Sequence, residues 1–184
     1  MAIKPTTRNS VSRWPSRALL KGIRLFATDV DGVLTDAGMY YSESGDEWKK
    51  FNTRDGMGIK LLQNAGLVTA IVTQERTRLV ARRAEKLAIP ELHQGVVDKL
   101  SVIRDMAARH GISLRHVAYI GDDVNDIEAL QAVGFSAAPA DGLPQVLKVV
   151  DYVCQQKGGE GAVRELVEMI LLSRPGAKNT NKTH

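Results

Sequence analysis

The chain has 184 residues, of which 43% are hydrophobic and 25% are charged. This length and composition are typical of one globular domain with its own core and are short for two. No apolar run approaches the roughly eighteen residues of a membrane span, so none is expected. The single cysteine, Cys154, excludes an internal disulfide, which fits a cytoplasmic protein.

Positive charge is concentrated at the two ends of the chain. Residues 1–28 carry six Lys or Arg, residues 173–184 carry three more, and neither stretch contains an acid. Removing these nine from the 25 basic residues leaves 16 against 21 acidic ones, a net of −5. We expect no nucleic-acid partner, because the acidic centre has no basic stripe with interleaved aromatic residues.

The two ends themselves are predicted to lie outside the domain. Residues 1–22 are basic and acid-free, which is the composition of an organelle transit peptide, but a disordered extension is the simpler prediction. Residues 173–184 are predicted to be a flexible tail.

Strand-like and helix-like patterns alternate between these ends. In chain order, the predicted strands are Ile23–Val30, Leu67–Thr73, Leu92–Val96, Val117–Asp122, Gly134–Ala138 and Asp151–Cys154. The predicted helices are Gly56–Ala65, Thr77–Leu87, Lys99–Gly111, Asp126–Val133, Pro144–Val149 and Gly161–Leu172. Apolar strands separated by helices favour a parallel sheet covered on both faces. The expected fold over residues 23–172 is a doubly wound, three-layer, Rossmann-like α/β domain.

Residues 38–53, GMYYSESGDEWKKFNT, break this alternation. Aromatic residues flank the polar run SESGDE, which predicts a β-hairpin with its turn near Ser44 to Asp46. The hairpin follows the acidic stretch DVDGVLTD, residues 29–36, directly in sequence. We therefore expect it to stand over that stretch as a flap, with no large cap domain.

Polar side chains gather at the predicted strand ends, where ligands bind in doubly wound folds. These residues are Asp29 and Asp31 at the end of the first strand, Thr73 at the end of the second, Lys99 at the start of the helix after the third, Asp122 and Asp123 at the end of the fourth, and Asp126 one helical turn further on. Each residue alone is a weak signal, because such groups are commonly surface pairs, helix caps or solvated charges. Their placement at successive strand ends is what predicts a shared site.

The residue types suggest phosphoryl chemistry with a metal ion. Clustered carboxylates raise one another's pKa unless a cation neutralises them, and Mg²⁺ prefers oxygen ligands such as those of Asp29 and Asp122. One carboxylate can attack phosphorus, and a second can protonate the leaving oxygen and then activate water. Lys99 and Thr73 are suited to hold the phosphoryl oxygens.

DVDGVLTD, Thr73, Lys99 and GDDVND, in this order and at these spacings, resemble the four motifs of the haloacid dehalogenase superfamily of phosphohydrolases. The resemblance implies a Mg²⁺-dependent phosphatase in which Asp29 is the nucleophile. It further implies that Asp31 is the general acid and base and gives its backbone carbonyl to the metal. By the same resemblance, Thr73 and Lys99 bind the phosphoryl group, Asp122 ligates the metal, and Asp123 and Asp126 support the metal shell or Lys99.

Short spacings between the motifs leave no room for a large cap domain at either usual insertion point. Only 41 residues separate Asp31 from Thr73, and 22 separate Lys99 from Asp122. An active site without a cap is open to solvent. We therefore expect either a large substrate or a neighbouring subunit whose residues complete the pocket.

GMYYSESGDEWKKFNTRDGMGIKLL, QGVVDKL and KGGEGAVRE resemble the tetrameric branch that dephosphorylates 2-keto-3-deoxy sugar acids. That branch acts on 3-deoxy-D-manno-octulosonate 8-phosphate or on nine-carbon, sialic-acid-type 9-phosphates. The resemblance implies a homotetramer whose subunits share the substrate pocket. It also implies substrate contacts from Asn52, Thr53, Glu75, Arg83 and Lys86.

The two residues that follow Thr73, Gln74 and Glu75, differ from those of the octulosonate enzymes of this branch, which usually have Thr-Gly-Arg at these three positions. Glu75 is more similar to the nine-carbon group, and Gln74 stands where a glycine is usual. A side chain at position 74 restricts the turn that glycine permits. Arg83 and Lys86 lie three residues apart on a predicted helix, so they share a face that either binds a substrate carboxylate or is simply solvated.

Two alternatives from other classes remain open on the sequence. One is a non-catalytic member of the superfamily, kept for binding or oligomerisation. The other is a phospho-acceptor receiver domain, which also uses Asp, Thr and Lys. Receiver domains keep the acceptor Asp on the third strand, and the predicted third strand has no Asp.

Overall fold

The computed structural model describes residues 15–174. The helices are α1 (Arg17–Lys21), α2 (Thr53–Asn64), α3 (Arg78–Leu87), α4 (Lys99–Arg109), α5 (Ile127–Ala132), α6 (Pro144–Leu147) and α7 (Ala162–Leu172). The strands are β1 (Leu25–Thr28), β2 (Tyr40–Tyr41), β3 (Glu47–Trp48), β4 (Val68–Thr73), β5 (Glu91–Gln94), β6 (Val117–Ile120), β7 (Phe135–Ala138) and β8 (Tyr152–Val153). Two 3₁₀ turns, Leu114–His116 and Val124–Asp126, precede β6 and α5.

Six parallel strands form the main sheet in the order β5, β4, β1, β6, β7, β8. Leu25 of the central strand β1 is in register with Val68 of β4 and Val117 of β6. Numbered along the chain, these six strands run 3-2-1-4-5-6, the doubly wound order with its switch point between β1 and β6. Receiver domains have the order 2-1-3-4-5. The sheet therefore excludes the receiver-domain alternative.

Helices cover both faces of this sheet, so the domain has three layers. Alternate side chains of β1 point to opposite faces, because successive strand residues do so. Phe26 packs in the core formed with α1, α2, α3 and α7, whereas Leu25 and Ala27 pack in the core formed with α4, α5 and α6. All four residues of β1 are buried. Burial on both faces explains the continuous apolar character of this strand.

The structure contains all six predicted strands of the main sheet and all six predicted helices, with shifted ends. β1 begins and ends two residues inside the predicted range, although the Asp29 amide still donates to the Ile120 carbonyl of β6 at 3.0 Å. α2 begins at Thr53, three residues before its predicted start, because the Asn52 side chain caps it by accepting a hydrogen bond from the Arg54 amide.

A short helix occupies the end of the predicted N-terminal extension, so the prediction of disorder up to residue 22 is wrong for that part. Ser16 caps α1, and Leu20 is only 2% exposed in the core against α7. Arg17 Nε donates to the Ser173 carbonyl at 3.2 Å. The Arg174 guanidinium likewise donates to the Ile23 carbonyl, which ties the start of the predicted tail to the domain. Residues 1–14 and 175–184 lie outside the described residues.

The predicted flap hairpin is present as the antiparallel pair β2 and β3, with Tyr40 opposite Trp48. Its turn is closed by a hydrogen bond from the Ser42 amide to the Asp46 carbonyl. Residues 38–53 are called the flap below. Among residues 15–174, no helix combines the length and apolar character needed to cross a bilayer.

Candidate active site

A buried ion-pair network lies at the carboxyl ends of β1 and β6, on either side of the switch point. Lys99, the first residue of α4, is 2% exposed. Its ammonium lies 2.7 Å from Asp29 Oδ2 and 2.6 Å from Asp126 Oδ1. Burial alone would lower the pKa of Lys99, but the charges of Asp29 and Asp126 outweigh it and raise that pKa. Lys99 is therefore a fixed cation at this site.

Both carboxylate oxygens of Asp126 accept hydrogen bonds within this network. Besides Lys99, its Oδ1 accepts a hydrogen bond from the Tyr119 hydroxyl at 2.5 Å. Its Oδ2 accepts from the backbone amides of Asp122 and Asp123 at 3.0 and 3.1 Å. The sequence interpretation left Asp126 between the metal shell and Lys99, and these contacts place it with Lys99. Tyr119 was missed, because one tyrosine inside an apolar strand gives no signal of its partner.

Lys99 compensates the burial of Asp29 and Asp122 only in part. Burial, reinforced by the Asp126 charge, raises the pKa of Asp29 to about 7. Burial, reinforced by the Asp29 charge, raises the pKa of Asp122 to about 8. Asp122 Oδ1 is buried with no hydrogen-bond partner. These are the properties expected of carboxylates that a cation neutralises.

The donor set fits a hard divalent cation. Carboxylate oxygens of Asp29, Asp122 and Asp126 all lie within 4.8 Å of one another. Asp29 and Asp122 are the residues suited to hold Mg²⁺. Asp122 Oδ1 is buried without a hydrogen-bond partner. Among the described residues, the Asp29 carboxylate accepts only from Lys99 and the Val30 amide, whereas Asp126 already accepts from four donors. Gly32 makes room for Asp122: it has φ of +80°, and a Cβ there would lie 2.0 Å from Asp122 Oδ2.

A cleft of about 450 Å³ opens beside this network. Its lining residues are Asp29, Asp31, Met39, Thr73, Gln74, Glu75, Asp123 and Asn125. The predicted catalytic residues Asp29, Asp31 and Thr73 thus lie together, with Lys99 behind Asp29. Thr73 is buried at the end of β4, and its hydroxyl accepts from the Glu75 amide at 3.3 Å. Exposed Asp123 caps the 3₁₀ turn that follows it.

Lys49 of the flap reaches into this cleft, and sequence reasoning missed it. Its ammonium lies 2.5 Å from Asp31 Oδ1 and also pairs with Glu75. The Lys49 side chain is 1% exposed, although the residue before it, Trp48, is exposed. The string EWKKFNT contained this lysine, but its partners are 18 and 26 residues away and left no local signal.

Gln74, the residue that stands in place of the usual glycine, spans the mouth of the cleft. Its Oε1 accepts a hydrogen bond from Asn125 Nδ2 at 2.9 Å. The side chain therefore joins the loop after β4 to the loop after β6, and the backbone turn forms without glycine.

The other predicted substrate-binding residues do not line the cleft within one chain. Asn52 caps α2 and donates to the Gly159 carbonyl, and Thr53 is the first residue of α2. Arg83 donates to the Asn52 carbonyl at 2.8 Å and stacks over the Phe51 ring at 5.4 Å. Lys86 is exposed on α3. Their roles toward a substrate stay predictions.

Known proteins similar to this chain share its fold and most of its length. The family model described as haloacid dehalogenase-like hydrolase matches residues 74–166. A relative from Escherichia coli K12, named 3-deoxy-D-manno-octulosonate 8-phosphate phosphatase KdsC, is 40% identical over 157 residues, covering 85% of this chain and 84% of its own. The relative of the same name from Yersinia pestis is 43% identical over 152 residues, covering 83% of this chain and 81% of its own.

A solved structure of the same kind superimposes closely. The 3-deoxy-D-manno-octulosonate 8-phosphate phosphatase from Moraxella catarrhalis, in complex with magnesium, phosphate and KDO, aligns with a TM-score of 0.84 at 40% identity. The alignment covers 86% of this chain and 91% of that one.

Proposed function

This chain belongs to the haloacid dehalogenase-like hydrolases, in the branch of the 3-deoxy-D-manno-octulosonate 8-phosphate phosphatases, and on that premise we propose that it is a Mg²⁺-dependent phosphatase of a phosphorylated 2-keto-3-deoxy sugar acid. One observation carries the proposal. Asp29, held by Lys99, and a second carboxylate, Asp31, line the same cleft.

Asp29 and Asp31 divide the reaction into two displacements. The Asp29 carboxylate attacks phosphorus, the bond from phosphorus to the sugar oxygen breaks, and Asp31 gives its proton to that oxygen. Water then attacks the aspartyl phosphate while Asp31 takes the proton back, which releases phosphate and restores Asp29. Mg²⁺, held by Asp29 and Asp122, offsets negative charge on the phosphoryl group when bound.

Lys99 and Thr73 prepare the site for this chemistry. The Lys99 ammonium orients Asp29 and offsets part of the effect of burial on its pKa, and it is close enough to offset charge that develops on the phosphoryl oxygens. The Thr73 hydroxyl lies at the end of β4 on the opposite side of the cleft, where it donates to a phosphoryl oxygen. The flap contributes Met39 to the lining of the cleft and places Lys49 against Asp31.

The substrate we favour is 3-deoxy-D-manno-octulosonate 8-phosphate, since the relatives carry that name at 40% identity and the Moraxella protein was crystallised with KDO. A nine-carbon, sialic-acid-type 9-phosphate is the second candidate, because Glu75 lines the cleft where octulosonate enzymes usually have a different residue. Comparing kcat/KM for the two substrates separates them. A preference for the nine-carbon ester would overturn the first choice.

Phosphate release tests the function itself. The purified protein should hydrolyse the octulosonate ester and a generic aryl phosphate with Mg²⁺, and EDTA should abolish both activities. Asp29→Asn should lower kcat by roughly a thousandfold or more, because the nucleophile is lost, while circular dichroism shows an unchanged fold. No release from either ester with any divalent cation would favour the non-catalytic binding module instead.

Oligomerisation belongs to the same proposal. We propose a cytoplasmic homotetramer in which a neighbouring subunit completes the pocket. Support comes from the flap, where Met39, Tyr40, Tyr41 and Trp48 are 42% to 66% exposed in the single chain. Exposed aromatic clusters of this kind mark protein interfaces. Light scattering on the eluted protein should give four times the chain mass, and a monomer mass would contradict the proposal.

A further inference from the structure

The flap is too small to hold its own position. Its two strands have two residues each, and they pair only with each other. A two-stranded hairpin is marginally stable in water even when it is longer. Its C-terminal end is anchored to the domain, because Arg83 donates to the Asn52 carbonyl and Asn52 donates to the Gly159 carbonyl. The contacts near its N-terminal end are local and exposed: the Tyr40 hydroxyl donates to Asp36 at 2.7 Å, and Lys50 pairs with Asp36 at 3.3 Å. Something else must fix the flap against the cleft.

Lys49 makes the long-range contacts that the flap needs. Its ammonium is held between Asp31, from the loop after β1, and Glu75, from the loop after β4. Asp31 and Glu75 are both about one third exposed, whereas Lys49 is 1% exposed. The ammonium therefore links the flap to two separate loops of the domain, and replacing it by an apolar group would remove both contacts at once.

We propose that Lys49 and Glu75 form a latch, meaning an ion-paired contact that docks the flap onto the cleft and holds the Asp31 carboxylate in place for proton transfer. Both are positioning residues, since they act through Asp31 and the flap. Only the effect on turnover rests on the proposed function. The docking of the flap stands on the contacts alone.

The latch gives Glu75 a role that differs from direct substrate recognition. Its carboxylate lines the cleft and is paired there with Lys49, so it is not a free anion. A neutral or cationic residue at position 75 would leave Lys49 with Asp31 alone. Glu75 is therefore proposed to hold the flap in addition to lining the cleft.

Hydrogen–deuterium exchange and kinetics test the latch together. Lys49→Met should speed amide exchange of residues 38–52 roughly tenfold and lower kcat roughly tenfold, with a smaller change in KM. Glu75→Gln should change both quantities in the same direction by a smaller factor. The double variant should match Lys49→Met within about twofold, because both changes break one contact.

Two variants control the experiment. Lys50→Met changes the neighbouring flap lysine, whose side chain is 58% exposed, and should leave exchange and kcat unchanged. Lys49→Arg keeps the cation and should restore most of both values, which a purely structural role of the lysine stem would not predict. Thermal unfolding confirms that each variant is folded.

The outcomes separate the latch from the proposed function. Wild-type exchange in Lys49→Met, or effects of Lys49→Met and Glu75→Gln that multiply in the double variant, would overturn the latch. If the wild-type protein hydrolysed no phosphate ester, the proposed function would fail, and the exchange rates of the same variants would still decide the latch.

Discussion

Single residues determine how three acidic side chains, Asp29, Asp122 and Asp126, are tolerated at one end of the sheet. Lys99 neutralises part of the charge, and Asp126 is satisfied by four donors: Lys99, Tyr119 and two backbone amides. Asp29 and Asp122 keep raised pKa values because burial is not fully compensated. The sequence therefore predicted that the motif residues gather at this end of the sheet. Which carboxylates are fully hydrogen-bonded and which are left with raised pKa values depends on long-range contacts that the sequence does not show.

Asp126→Asn tests the organising role of this residue. The amide group would place donors opposite either Lys99 and Tyr119 or the two backbone amides, so at least one buried donor loses its acceptor. We expect the free energy of unfolding to fall by about 3 kcal/mol, measured by urea unfolding. Asp123→Asn is the matched control, because Asn caps a turn as well as Asp and position 123 is exposed. Equal stability of the two variants would refute the role.

Gly32→Ala tests the space that Asp122 needs. Gly66 has φ of +81°, close to the +80° of Gly32, but its Cβ would meet open space. Both alanine variants should lose about 1–2 kcal/mol from backbone strain. Gly32→Ala alone should also displace Asp122 and weaken Mg²⁺ binding roughly tenfold, which the Mg²⁺ concentration for half-maximal activity reports. Identical Mg²⁺ dependence in the two variants would contradict this account.

At the scale of elements, periodicity predicted which segments form strands and helices but not how they end. The predicted hairpin at 38–53 is present because turn residues and flanking aromatics are local signals. Helix α1 was missed, since a short acid-free segment has no amphipathic pattern and is stabilised by packing on α7. The latch residue Lys49 was missed for a similar reason: its buried position depends on residues far away in sequence.

Leu20→Ala tests whether α1 is an integral part of the domain. The Leu20 side chain is 2% exposed in the core, so truncation should cost about 2–3 kcal/mol in the free energy of unfolding. Lys21→Ala, at the exposed neighbouring position, should change it by less than about 0.5 kcal/mol. Denaturant unfolding of the two variants makes the comparison. A negligible cost for Leu20→Ala would mean that α1 does not stabilise the fold.

At the scale of the whole molecule, the sheet topology brings negatively charged side chains from distant parts of the chain close together. The switch point between β1 and β6 brings Asp29 and Asp122 together although they are 93 residues apart. The charged forms of these two carboxylates are disfavoured, because burial at the carboxyl end of the sheet removes them from water. The fold is therefore expected to be more stable when a cation occupies this end.

The dependence of stability on pH and Mg²⁺ measures this coupling. The folded pKa values of about 7 for Asp29 and about 8 for Asp122 exceed the ordinary value of 3.8. Between pH 4 and 8 the folded state therefore holds more protons than the unfolded state, so the free energy of unfolding falls as pH rises. In EDTA, we expect Tm to fall by roughly 5 °C or more from pH 5 to pH 8.

Mg²⁺ should reverse this trend, because it binds the deprotonated carboxylates of the folded state and adds stability by mass action. Its effect on Tm should be larger at pH 8 than at pH 5, where protons compete for the same oxygens. Asp122→Asn provides the matched control: with one of the two raised titrations removed, the Tm difference between pH 5 and pH 8 in EDTA should shrink. A Tm that rises with pH in EDTA, or an equal Mg²⁺ effect at both pH values, would show that these carboxylates do not carry the uncompensated charge.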